Sequence, residues 1–129
     1  MINIERQIQH WYETALSDLE TAEILSEKSK LIQSLFFCHL CIEKTLKAIY
    51  VRDNQVIPPK SHDLFYILGK TKVELSDKQN ELLAMLMKYQ LEGRYPDYPV
   101  KAPAKQVAID LLEHTKELYK CLIKELKIS

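Results

Sequence analysis

The residues best equipped for chemistry fall into a few short groups. Cys38 and Cys41 form a C-x-x-C. Zinc takes four ligands, and only Cys121 and scattered histidines remain to complete a set. Free cysteine is among the most buried residue types, so the pair reads as core packing and no metal is expected. His39, Glu43 and Lys47 follow one another at i, i+4 steps, which places them on one side of a helix. Phe36 and Leu40 flank them, and charges hemmed in by apolar neighbours need partners. Either Glu43 and Lys47 pair along the helix, worth about 0.2–0.5 kcal/mol, or they face a polar cleft and bind a ligand. His62 follows Ser61 at the start of a short helical stretch, where a neutral, hydrogen-bonding imidazole suits the exposed amides better than a cation.

The richest surface stretch is Arg94–Tyr98. Arg94 offers a planar fork of donors suited to phosphate or carboxylate. Tyr95 and Tyr98 offer faces on which a base can stack, a contact worth roughly 1–3 kcal/mol. Pro96 and Pro99 stiffen the segment and lower the entropy cost of presenting those groups. The other reading is a rigid connection in which Asp97 pairs with Arg94 and the tyrosines pack down.

Composition removes several function classes. Only two glycines occur, Gly69 and Gly93, where average usage of about 7% would give roughly nine. A P-loop, a dinucleotide-binding fingerprint and a nucleophile elbow all need clustered glycines, so none is present. Eighteen Lys plus Arg cancel eighteen Asp plus Glu, which removes the strongly basic footprint of a dedicated nucleic-acid binder. No stretch approaches 18 uncharged apolar residues, so no membrane span is expected. The N-terminus lacks a basic region followed by an apolar run, so no signal peptide is expected. The three cysteines suit a reducing, cytoplasmic setting.

Helices must position these groups. Ile4, Ile8, Trp11, Tyr12, Ala15, Leu19, Ala22 and Leu25 recur at three- and four-residue steps and predict a first helix over 4–28. The stretch 31–53 is apolar or small almost all round, apart from a narrow sector with Glu43, Lys44 and Lys47. Such a helix is buried on most sides and should be central. Pro58 and Pro59 end that region. Ser61 then caps a short helix over 62–71, and Ser76 caps another over 77–92, with Gly93 as its C-cap. Pro103 starts the last helix, 103–127, with a stripe of Val107, Leu111, Thr115, Leu118, Leu122 and Leu126. The expectation is an all-α, antiparallel up-and-down four-helix bundle with one additional short helix, in a single domain over residues 1–129. Phe37 and Cys41, placed on the outer side of the second helix, are expected to form a homodimer surface.

The run FFCHLCIEKTLKAIY (36–50), followed by PPKSHDL (58–64) and GRYPDY (93–98), resembles the HEPN family, the higher eukaryotes and prokaryotes nucleotide-binding domain. The likeness covers essentially the whole chain. It implies a helical bundle, commonly a homodimer and often encoded beside a small nucleotidyltransferase, with some members resembling toxins of toxin–antitoxin pairs. It also implies a nucleotide site at Glu43, Lys47, His62, Arg94, Tyr95 and Asp97. Lys47 and Arg94 would meet phosphates, and Tyr95 would stack on the base. Glu43 and Asp97 would hold those cations or touch ribose, and His62 would hydrogen-bond towards Glu43. Ribonuclease members carry an arginine, four to six residues and a histidine. Here three residues separate Arg6 from His10, nine separate Arg52 from His62, and the first histidine after Arg94 is His114. No catalytic residue and no cofactor is therefore assigned. An RNA-acting toxin and an interaction module without a ligand are the alternatives.

Overall fold

The computed structural model describes residues 2–91 and 100–126. Five helices occur in them: α1 (Ile4–Glu27), α2 (Leu31–Asn54), α3 (Leu64–Leu68), α4 (Asp77–Met87) and α5 (Lys105–Leu126). Among the described residues there is no strand.

Local chemistry explains where the helices start. The Asn3 Oδ1 accepts from the Arg6 N–H at 3.0 Å and caps α1. Ser76 forms a capping box with Gln79: its Oγ accepts from the Gln79 N–H at 3.2 Å, and Gln79 Oε1 accepts from the Ser76 N–H at 2.9 Å. α2 has no side-chain cap at Lys30. Its first turn is tied instead to α1, through a 2.7 Å hydrogen bond from Ser34 Oγ to the Ala22 carbonyl.

Three boundaries differ from expectation. α3 starts two residues later than His62, because Asp63 and not Ser61 is its N-cap; Asp63 Oδ1 accepts from Phe65 N–H at 3.0 Å and Tyr66 N–H at 3.3 Å. α4 ends at Met87 rather than 92. Its last amides, Lys88 and Tyr89, reach back three residues to Met85 and Leu86, the tight turn that closes many helices. The expected C-cap Gly93 lies outside the described residues. α5 begins at Lys105, and its buried stripe runs through Ala108 in place of Val107, which is 43% exposed.

Cross-helix pairs fix the topology. Going from Ala22 to Asp18 to Trp11 along α1, the α2 partners are Ser34, Lys44 and Lys47, so the two helices are antiparallel. α2 and α5 run parallel: Cys38 pairs with Thr115 and Arg52 with the Glu125 carbonyl. This is up-and-down bundle geometry. α2 is the central helix, with Leu35, Ile42, Leu46 and Ile49 wholly buried. Cys38 and Cys41 are buried as well, and burial pushes the Cys38 thiol up to about 12. Cys41 therefore faces the interior and cannot belong to the expected dimer surface, while Phe37 packs half-buried against the core.

Candidate functional site

The i, i+4 row on α2 has become a buried cluster. Glu43 is 2% exposed, Lys47 5%, and His39 is wholly buried. Lys47 Nζ donates to Glu43 Oε2 at 3.0 Å. The other carboxylate oxygen, Oε1, accepts from His62 Nδ1 at 3.0 Å, and His39 Nδ1 lies 3.7 Å from the same atom. Of the two readings left open by the sequence, the pair along the helix is present, and Glu43 also reaches across to His62.

The connection between α2 and α3 aims His62. His39 Nε2 donates to the His62 carbonyl at 3.0 Å, so both the backbone and the ring of His62 are held against α2. Ser61 Oγ accepts from the Asp63 N–H at 3.1 Å, and the Leu64 N–H donates to the Met87 thioether at 3.4 Å, pinning the segment on both sides. With Nδ1 committed to a carboxylate, the neutral ring carries its lone pair on Nε2. The His62 side chain is 41% exposed. It links the buried charges to solvent.

α1 closes the cluster from the other side. Lys47 Nζ lies 5.3 Å from the centroid of the Trp11 ring, a cation–π distance. The indole N–H of Trp11 donates to Gln7 Oε1 at 3.2 Å, which fixes the ring. About two turns further along α1, Asp18 Oδ2 pairs with Lys44 Nζ at 2.7 Å. Burial raises the Asp18 carboxyl above its ordinary value, and Lys44 only partly offsets it.

Of the site residues expected from the sequence, Glu43, Lys47 and His62 are brought together. Arg94, Tyr95 and Asp97 lie outside the described residues. Sequence reasoning missed Trp11 and the Asp18–Lys44 pair. Asp18 had a signal, since it is a carboxylate inserted into the apolar stripe of Ala15, Leu19 and Ala22. Trp11 had none, because helical spacing does not reveal a partner on another helix. A separate groove of about 550 Å3 lies between α4 and α5, lined by residues such as Leu82, Met85, Leu111, His114 and Cys121, and includes none of the expected site residues. Among the described residues, no group of three His, Cys, Asp or Glu side chains could hold a metal ion. No helix in them is long and apolar enough to cross a membrane.

The fold and cluster define an all-helical bundle built around one central helix with a buried polar row. A family model for the HEPN domain matches residues 8–126, so the chain belongs to the HEPN domain family. The chain is similar in structure to TT1696 from Thermus thermophilus, with a TM-score of 0.75 at 20% identity, over 93% of this chain and 98% of that one. It is also similar to ST0689, an archaeal HEPN homologue, with a TM-score of 0.63 at 16% identity, over 93% and 98% of the two chains. At these identities the likeness is one of fold. No curated protein matches the sequence.

Proposed function

We propose that this HEPN-domain protein binds a nucleotide at the mouth of the Glu43–Lys47–His62 cluster. His62 contributes the exposed imidazole edge. Arg94 supplies the fork for phosphate, Tyr95 the stacking face, and Asp97 a partner for Arg94 or a contact to ribose. Glu43 and Lys47 act from behind: they are buried, and Lys47 is held by Glu43 and roofed by Trp11. Their role is to hold His62, and the phosphate contact expected of Lys47 passes to Arg94.

The observation that carries this reading is a buried carboxylate–ammonium pair reaching solvent through one imidazole. It is supported by the course of the chain. Met87, the last residue of α4, accepts from the Leu64 N–H, so the chain leaves α4 beside the segment that carries His62. Phe65 and Tyr66, three and four residues beyond His62, are exposed apolar side chains suited to the second chain or nucleotidyltransferase that the family resemblance implies; sedimentation at tens of micromolar should then show a dimer.

A thermal-shift panel with ATP, GTP and their monophosphates, with and without magnesium, tests the nucleotide reading. At a hundredfold excess over the dissociation constant, a specific ligand should stabilise by about 2.7 kcal/mol. His62→Ala and Arg94→Ala should abolish the shift. A flat panel for the unaltered protein would sink the reading.

A further inference from the structure

α5 carries two rows of packing residues side by side. Ala108, Leu112, Thr115, Tyr119 and Leu122 form one, all buried in the core. Val107, Leu111, His114, Leu118 and Cys121 form the other, in steps of four, three, four and three, the spacing with which helices pack on helices. The last four of these line the groove against α4, and Val107, at the head of the row, is 43% exposed. The facing wall repeats the spacing, since Lys78, Leu82 and Met85 follow in steps of four and three. α4 has 11 residues against 22 in α5, so it accompanies about half of that helix. Helices packed ridge into groove, about 8–10 Å apart, close the space between them to interior density. Here about 550 Å3 stays open.

Two walls with helical spacing suit a third helix. The row from Val107 to Cys121 is about 21 Å long, or about four turns, whereas a compact ligand would cover part of it and leave Val107 bare. The half-buried Met85 gives one wall an adaptable side chain. Charge selects the kind of helix. Glu81 on α4 and Glu117 on α5 are exposed at the groove, and among the described residues neither has an ion-pair partner. Asp110, seven residues before Glu117, continues the acidic edge and meets the neutral Gln106 amide. Lys78 is the cation on these walls. The chain's own outer apolar stripe, Leu16 and Ile24 on α1, is interleaved with the exposed Glu13, Glu20 and Glu27 and so has the wrong sign. We propose that the α4–α5 groove seats an amphipathic helix of another protein, with apolar side chains at i, i+3 or i+4, and i+7, and with Lys or Arg beside them to meet Glu81 and Glu117. The groove shares no residue with the nucleotide site, so the two proposals are tested separately.

Cys121 reports on occupancy, because it is exposed in the groove while Cys38 and Cys41 are buried. The probe is a synthetic peptide of about 18 residues, or five turns, with Leu at the heptad core positions and Lys beside them; its control carries Glu for each Lys. At ten times its dissociation constant the lysine peptide leaves about one groove in eleven free, so modification of Cys121 by a thiol reagent should slow about tenfold. A surface ion pair is worth up to about fivefold in affinity. The double variant Glu81→Lys, Glu117→Lys, altered only at exposed positions, should therefore bind the lysine peptide about tenfold more weakly and be protected by the glutamate peptide instead. Failure of the lysine peptide to bind, binding that leaves Cys121 unprotected, or equal protection by both peptides in the unaltered protein would each overturn the proposal. Modification that slows with rising protein concentration and no peptide would make a second copy the occupant. Protection by decyltrimethylammonium below its micellar concentration, but by neither peptide, would make the groove a small-molecule pocket. Either of those results also overturns it.

Discussion

Lys47 and Lys116 both reach glutamates at hydrogen-bond distance, yet only one of them does so out of water. Lys47 Nζ is 3.0 Å from Glu43 Oε2, and both residues are buried. Lys116 Nζ is 2.7 Å from Glu23 Oε1 and 3.1 Å from Glu113 Oε1, with side-chain exposures of 29%, 43% and 56%. The bond lengths are nearly the same; the surroundings are not. At the surface, water solvates each charge when the other is removed, so such pairs contribute about 0.2–1 kcal/mol. In the interior, removing one partner strands the other in a medium that cannot solvate it, at a cost of about 3–5 kcal/mol. A buried pair thus holds its geometry tightly without adding much net stability. That suits the role proposed for it, of aiming an imidazole.

Glu43→Ala should cost about 3–5 kcal/mol in urea unfolding, because it strands the Lys47 ammonium beneath Trp11. A loss below 1 kcal/mol would break the comparison. Leu46→Ala, three residues along the same helix and wholly buried, should cost about 2–5 kcal/mol through the cavity it leaves. Salt separates the two cases, since neither loss should shrink appreciably in 1 M salt, whereas a surface pair is screened there. Lys116→Ala should cost less than about 1 kcal/mol, and 1 M salt should erase most of it. The hydrogen bond to Glu23, above all, holds Lys116 above its ordinary 10.5. Its small contribution is therefore complete below that value and is lost as pH rises through the raised one. Urea midpoints from pH 9 to pH 11.5 should converge for Lys116→Ala and the unaltered protein.

The sequence exposes what one helix does and conceals what two helices do together. The ends of α1 and α2 lie within a residue of the expected ones, because caps and periodicity are local. The capping box of Ser76 and Gln79 is legible as a spacing, and so is the i, i+4 row of His39, Glu43 and Lys47. Ser61 and Asp63 are both good caps two residues apart, and propensity cannot choose between them. In the structure Asp63 caps the helix, while Ser61 Oγ accepts from the Asp63 N–H. Val107 shows the same limit. It shares the period of the stripe, but one helical step decides whether it or Ala108 meets the core. The bond between Glu43 and His62 was expected from the family resemblance. The cover over Lys47 was not, because Trp11 is 36 positions away and nothing in either local pattern links them.

Trp11 is the chain's single tryptophan, and its ring lies above the buried ammonium while its indole N–H is tied to Gln7. The indole excited state is sensitive to a nearby charge, and with excitation beyond the absorption of the seven tyrosines the fluorescence of the unlabelled protein has one origin, at the seam where α1 covers the polar row of α2. A shift in emission means that this seam has opened or that the charge beneath it has moved. Unfolding of this seam can therefore be followed optically, at one place, without introducing a probe, and so can occupancy of the proposed site.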